Sequence, residues 1–249
     1  MLKKHLSVWM LLNRFTLWKI VLLCIMMAGA ECILFYERMC RELQYAEADL
    51  SWITLENVIQ RSHISWAFAA AFILLTVILS VNTCAFSSKC GYTLSRLSIS
   101  KKTVFVWHAV HNACCYLLFW TFQTLLSMLF CIWFAEMAEI YITNQSVFLA
   151  LYRSDFLHAL LPLEDLFMWL KNFLLCIGLG ITSAVFSCRQ REGKFGADIP
   201  ALACVSLLWF VTGLGNVALD ALCLVFVFWL SASAVHYVFT NREESDEKN

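Results

Sequence analysis

Charged residues are scarce in this sequence. Asp, Glu, Lys and Arg make up 14% of its 249 residues, whereas a soluble domain usually contains about 25%. Hydrophobic residues make up 61% of the chain, and the mean hydropathy is +0.72. The formal net charge is zero, so no excess of positive charge indicates nucleic-acid binding. The composition excludes an ordinary soluble domain and predicts an integral membrane protein.

The sequence also lacks the short motifs of common enzyme and metal sites. It has no GxxxxGK phosphate loop, no GxSxG nucleophile motif and no HExxH zinc motif. No CxxC pair occurs among its 12 cysteines, most of which lie in apolar runs and are expected to pack as small hydrophobes. His108 and His111, three residues apart, are interpreted as interfacial histidines near the cytosolic end of the third span rather than as a metal or proton site. We therefore predict no catalytic residue, no metal site and no cofactor in this chain.

Only two prolines occur, Pro162 and Pro200, and both stand at the entrances of apolar runs. A membrane-spanning helix needs about 20 mainly apolar residues. We predict an all-α polytopic membrane protein with one transmembrane domain, 15–239. Its six transmembrane helices are predicted at 15–36, 64–86, 104–134, 166–187, 199–213 and 217–239.

Basic and acidic segments alternate between these runs. Residues 1–14 and 87–103 contain basic residues and no acidic ones, whereas 37–63 and 135–165 are richer in acidic residues. Because basic segments stay in the cytosol, we predict six spans with both termini cytosolic. Residues 1–14 combine lysines with Trp and leucines, which predicts an amphipathic interfacial helix. The tail, 240–249, is predicted to be polar and disordered.

The first apolar run has an alternative interpretation. A basic start, an apolar stretch and Ala28-Gly29-Ala30 resemble a signal peptide with its cleavage site. Cleavage there would leave five spans. The long leading segment, itself apolar, and the hydrophobic residues from Cys32 to Tyr36 favour an uncleaved first span.

Three charged residues fall within the predicted spans. Glu31, Lys171 and Asp220 lie on the first, fourth and sixth spans, all in the outer half of the membrane by the topology above. Charges in hydrocarbon are costly and often functional. They form an intramembrane charge cluster that acts as a gate or faces the substrate, or an ion pair that fastens helices together, or they lie close enough to the membrane surface to be hydrated. These interpretations remain open from the sequence.

A basic loop follows the second predicted span. Residues 93–113 read TLSRLSISKKTVFVWHAVHNA. This segment resembles the cytoplasmic loop between spans two and three of ABC-2-type transporter permeases. Thr93-Leu94, Leu97, Ile99-Ser100 and Lys101-Lys102 match that pattern, while Ser98 stands where the family usually has Pro. The resemblance implies a coupling helix that contacts the ATPase through Leu94, Arg96, Leu97 and Ile99.

The resemblance also implies a function for the whole chain. It would be the membrane-spanning permease subunit of an ABC-2-like exporter in the cell membrane, most simply a bacterial plasma membrane. ATP and Mg would bind a separate ABC ATPase subunit, and membrane lipids and a second permease subunit, identical or related, would be the other partners. Two alternatives are a non-transport scaffold or sensor whose basic loop binds lipid, and an ion-coupled carrier that uses Glu31, Lys171 and Asp220.

Overall fold

The structure is a computed structural model that describes residues 2–46, 54–81, 100–137, 144–162, 166–191, 193–194, 196–212 and 217–240. These ranges are helical and contain no strand. The helices are α1 (Leu2–Ala46), α2 (Leu55–Ser62), α3 (Ile64–Val81), α4 (Lys101–Met137), α5 (Asn144–Arg153), α6 (Asp155–Leu160), α7 (Leu166–Arg191), α8 (Asp198–Thr212) and α9 (Val217–Thr240).

Five of these helices, α1, α3, α4, α7 and α9, are long and apolar enough to cross a membrane. The chain is therefore an all-α, multi-pass membrane protein, as the sequence predicts. α8 is shorter, with 15 residues. At 1.5 Å per residue it extends about 22 Å, less than the ~30 Å of a bilayer's hydrocarbon core.

The helix boundaries differ most from the prediction at the N-terminus. The predicted interfacial helix, 1–14, and the first predicted span belong to one uninterrupted helix, α1, which continues to Ala46. This stretch contains no proline, and its first glycine is Gly29, so no helix-breaking residue stands near Arg14. Helix α4 also begins before and ends after the predicted third span. Most of the predicted tail, from residue 241 onward, lies outside the described residues.

Helices α1 and α4 run side by side in the same direction. Near one end, Thr16 Oγ1 and His111 Nε2 lie 3.3 Å apart. Further along, Phe35 and Phe130 stack with ring centroids 4.7 Å apart. Helix α3 runs the opposite way against α4, because Phe68 contacts Phe119 whereas Phe72 also reaches Tyr116. Successive crossings by α1, α3 and α4 produce this arrangement.

Successive long helices also alternate in direction in the second half of the chain. Helices α7 and α9 run in the same direction, since Lys171 meets Asp220 at one end and Arg189 lies over the Tyr237 ring at the other. Helix α8 runs back between these two levels. Asp198, its first residue, pairs with Arg189, and Trp209 near its last turn reaches the level of Lys171.

Close packing joins the two halves of the bundle. Gly180 lets α7 approach α4, because a Cβ atom at position 180 would lie 2.5 Å from the Ala113 backbone nitrogen. Phenylalanines fill the centre, where the Phe68 ring contacts those of Phe119, Phe156 and Phe210. A small residue such as Gly180 allows two membrane helices to pack closely.

Three short helices, α2, α5 and α6, form what we call the cap, at the end of the bundle nearest Lys171. Thr54 begins α2 by accepting a hydrogen bond from the Asn57 backbone N–H, and Ser154 begins α6 in the same way. Arg61 of α2 pairs with the largely buried Glu42 of α1 at 3.3 Å. The cap lies at the bundle end opposite Val81 and Lys101.

Candidate functional site

Lys171 and Asp220 form an ion pair inside the helix bundle. Lys171 Nζ lies 3.3 Å from Asp220 Oδ1, and the two side chains are 0% and 2% exposed. The pair joins α7 to α9, each near its first turns. Because an isolated charge in this environment would be very costly, the pairing accounts for the burial of both side chains. The structure thus brings together two of the three charged residues singled out in the sequence.

Two further side chains hold this pair in place. The Lys171 ammonium lies over the ring of Trp209, in a cation–π contact. Trp209 Nε1 donates to Asn172 Oδ1 at 3.2 Å, and Asn172 Nδ2 donates to the Ala159 carbonyl at 2.8 Å. The network therefore joins α6, α7, α8 and α9. The sequence gives a weak signal for Asn172, a polar residue beside Lys171, and none for Trp209.

Glu31, the third charged residue, makes a different contact. Its Oε2 atom accepts a hydrogen bond from Gln123 Nε2 of α4 at 2.8 Å, and both side chains are fully buried. The three charges therefore divide into an ion pair, Lys171–Asp220, and a carboxylate–amide contact, Glu31–Gln123. Gln123 was not identified from the sequence: a glutamine inside a long apolar run is unusual, but it does not show which residue it contacts.

A second polar layer lies toward the other end of the bundle. Asn112 Nδ2 donates to Ser183 Oγ at 2.8 Å, linking α4 to α7. His111 lies against Thr16 of α1 and makes an edge contact with Trp9, with ring centroids 5.3 Å apart. Within the described ranges, no group of three His, Cys, Asp or Glu side chains could hold a metal ion. This layer packs three helices together.

The predicted contact residues Leu94, Arg96, Leu97 and Ile99 lie in the segment 82–99, outside the described residues. The structure does place both ends of that segment. Helix α3 ends at Val81, where the neighbouring Ser80 carbonyl accepts a hydrogen bond from Ser187 Oγ of α7 at 2.9 Å. Helix α4 begins at Lys101, next to Lys102, which lies over the Phe239 ring. Val81 and Lys101 thus lie at the same end of the bundle, opposite the cap.

The chain matches no protein-family model, no curated protein and no solved structure.

Proposed function

We propose that this chain is the membrane-spanning permease subunit of an ABC-2-like, ATP-driven exporter. The observation that carries the proposal is that Val81 and Lys101, the helix ends on either side of residues 82–99, lie at the same end of the bundle, opposite the cap. No acidic residue occurs from Ser87 to Thr103, whereas four basic residues do. A basic segment at a bundle end suits the cytosolic face, and its sequence resembles the ABC-2 coupling loop.

The proposed topology has six crossings with both termini in the cytosol. The shared direction of α1 and α4 supports three crossings in the first half of the chain. The shared direction of α7 and α9 supports three more, with α8 as a short fifth span. Residues 2–14 of α1 would lie at the cytosolic interface, where Val8 and Leu12 pack against Val104 and Trp107 of α4. We place the protein in the plasma membrane of a bacterium.

In the proposed cycle, ATP and Mg act only on the partner ATPase. Closure of the ATPase pair would push the segment 92–100, whose contact residues are Leu94, Arg96, Leu97 and Ile99. The push would reach α3 and α4 directly, because the segment connects them. Helix α4 would pass it to α7 through the tight contact at Gly180. Six spans form half of such a transporter, so a second permease, identical or related, completes it.

Affinity purification tests the proposal. The tagged chain is isolated in mild detergent and in lipid nanodiscs, as wild type and as Leu97→Asp with Ile99→Asp. We expect a P-loop ATPase to co-purify with the wild type and to be lost from the double variant. A matched control, Ser95→Asp with Ser98→Asp, adds the same charge to the same segment but spares the predicted contact residues, so it retains the ATPase.

Size-exclusion profiles must show that all three proteins are folded. If the folded wild type retains no ATPase in any detergent or in nanodiscs, the permease proposal is wrong. The basic loop is then a topology signal, and the non-transport scaffold or sensor is the better interpretation.

A further inference from the structure

Three buried oxygen atoms at the contact between α1 and α4 have no hydrogen-bond partner within the described part of the chain. They are Glu31 Oε1, Gln123 Oε1 and Ser127 Oγ. The Glu31 and Gln123 side chains are fully buried, and Ser127 is 6% exposed. Buried polar atoms nearly always have a partner, and lipid offers none. Three such oxygens close together indicate that a bound ion or molecule supplies the partner that each of them lacks.

The three side chains lie on adjacent turns. The carboxylate of Glu31 and the amide of Gln123 are in direct contact at 2.8 Å. Ser127 follows Gln123 by four residues, which places it one turn further along the same face of α4. The contact between the helices continues past it to the stacked rings of Phe35 and Phe130. Ser127 therefore faces α1 between these two contacts.

The charge at this position is a single negative one. Lys171 pairs with Asp220, and among the residues that the structure describes no basic side chain forms an ion pair with Glu31. The ionisable side chain that interacts with Glu31 is its neighbour Cys32 on α1, whereas Tyr116 of α4 faces Phe72 of α3. Helix α3, which also packs against α1, has no ionisable side chain between Ile64 and Val81. One monovalent cation would neutralise the site, whereas a divalent ion would leave an excess positive charge.

We propose that Glu31, Gln123 and Ser127 form an intramembrane site for one monovalent cation, at which Na⁺ and H⁺ compete. Carboxylate, amide and hydroxyl oxygens are the ligands that hard cations prefer. When H⁺ replaces Na⁺, it resides on the Glu31 carboxylate, which becomes neutral and keeps its contact with Gln123. Buried carboxylates in membrane spans commonly lie on ion or proton pathways. The proposal rests on the α1–α4 contact and does not depend on the ABC-2 assignment.

Carbodiimide labelling tests the site in the full chain. A protonated carboxylic acid adds across one C=N bond of dicyclohexylcarbodiimide: its oxygen bonds to the central carbon, and its proton passes to nitrogen. A carboxylate that holds Na⁺ does not react in this way. The protein in lipid nanodiscs is labelled at constant pH in sodium chloride or in choline chloride of equal ionic strength. Mass spectrometry then measures the labelled fraction of Glu31.

We expect sodium to slow the labelling of wild-type Glu31 about tenfold at about ten times its Kd, by mass action. Ser127→Ala removes one ligand and is expected to weaken sodium protection severalfold. The matched control is Ser231→Ala, which removes another buried hydroxyl without a partner, on α9 beside Gly178, and keeps full protection. Glu31→Gln abolishes the label and so identifies its position.

A second measurement covers the case in which the reagent does not reach Glu31. The melting temperature of the wild type should be higher in sodium than in choline, and that difference should vanish in Glu31→Gln. If the labelled fraction of Glu31 falls with rising pH but does not change with sodium, the site binds H⁺ alone and Na⁺ is excluded. If neither labelling nor melting temperature responds to sodium or pH, the site does not bind a cation and the proposal is wrong.

Discussion

Lys171 Nζ lies 3.3 Å from Asp220 Oδ1, in a part of the bundle where neither side chain reaches solvent. Lys171 lies near the start of α7 and Asp220 near the start of α9. Their ion pair therefore holds together two helices that are separated in sequence by α8. The ring of Trp209, from α8, covers the ammonium group. This arrangement places a strong constraint on three helices at a single level.

Removing one member of this pair should strongly destabilise the protein. Asp220→Ala leaves the Lys171 charge buried without its carboxylate, at a cost of about 3–5 kcal/mol. The free energy of unfolding, measured by denaturant titration in detergent, checks this. Glu37→Ala is the control: it breaks the exposed Arg41–Glu37 pair, so the loss there should be about 1 kcal/mol or less.

Replacing both members separates fastening from gating. Lys171→Met with Asp220→Leu exchanges the pair for apolar side chains, which is often neutral for stability. We expect the double variant to regain most of the stability that Asp220→Ala loses. In the proposed exporter, transport would then distinguish the two roles: normal transport by the folded double variant would mean that the pair only fastens helices, and loss of transport would indicate a gate.

The contact between α4 and α7 should tolerate no side chain at Gly180. Gly180→Ala would place its Cβ 2.5 Å from the Ala113 backbone nitrogen, so the helices must separate, at about 1–3 kcal/mol. Gly29→Ala is the matched control, because a Cβ there meets nothing within 4 Å. That substitution should be neutral or stabilise α1 by up to about 1 kcal/mol. Melting temperatures of the two variants that move together would contradict this prediction.

Asn172 should be needed for its two hydrogen bonds. Asn172→Ala leaves both the Ala159 carbonyl and Trp209 Nε1 buried without a partner, at about 1–3 kcal/mol for each group. Unfolding followed by tryptophan fluorescence measures the loss. Gln60→Ala, on the exposed face of α2, should change stability by no more than about 0.5 kcal/mol. Equal losses in the two variants would show that the Asn172 bonds contribute nothing.

Reporter fusions can count the crossings. With six, a cytosolic fluorescent reporter is active after residue 97, 194 or 249, and a secreted phosphatase is active after residue 50 or 141. If α8 does not cross, the fusions after 194 and 249 report opposite sides of the membrane. That pattern would leave the five long helices as the complete set of spans.

The sequence predicted the starts of α3, α7 and α9 closely, because each follows polar or charged residues that cannot enter hydrocarbon. It could not predict that α1 is continuous, since a change from basic to apolar residues near Arg14 alters the surroundings of a helix but does not break it. Opposite charges at similar depth indicated that Lys171 and Asp220 could pair. The partner of Glu31 could not be predicted. Because the first span is apolar on all sides, its sequence does not show which side of the helix faces the rest of the bundle.

The cap is attached to α7 at two points one turn apart. Trp169 Nε1 donates to the Pro162 carbonyl at 2.6 Å, and Asn172 Nδ2 donates to the Ala159 carbonyl at 2.8 Å. A single hydrogen bond would allow α6 to rotate relative to α7, whereas two hydrogen bonds restrict its direction as well as its position. We therefore expect helices α6 and α7 to move together. A conformational change that tilts or rotates α7 would then displace α6 as well, and a spectroscopic probe on α6 would report that movement.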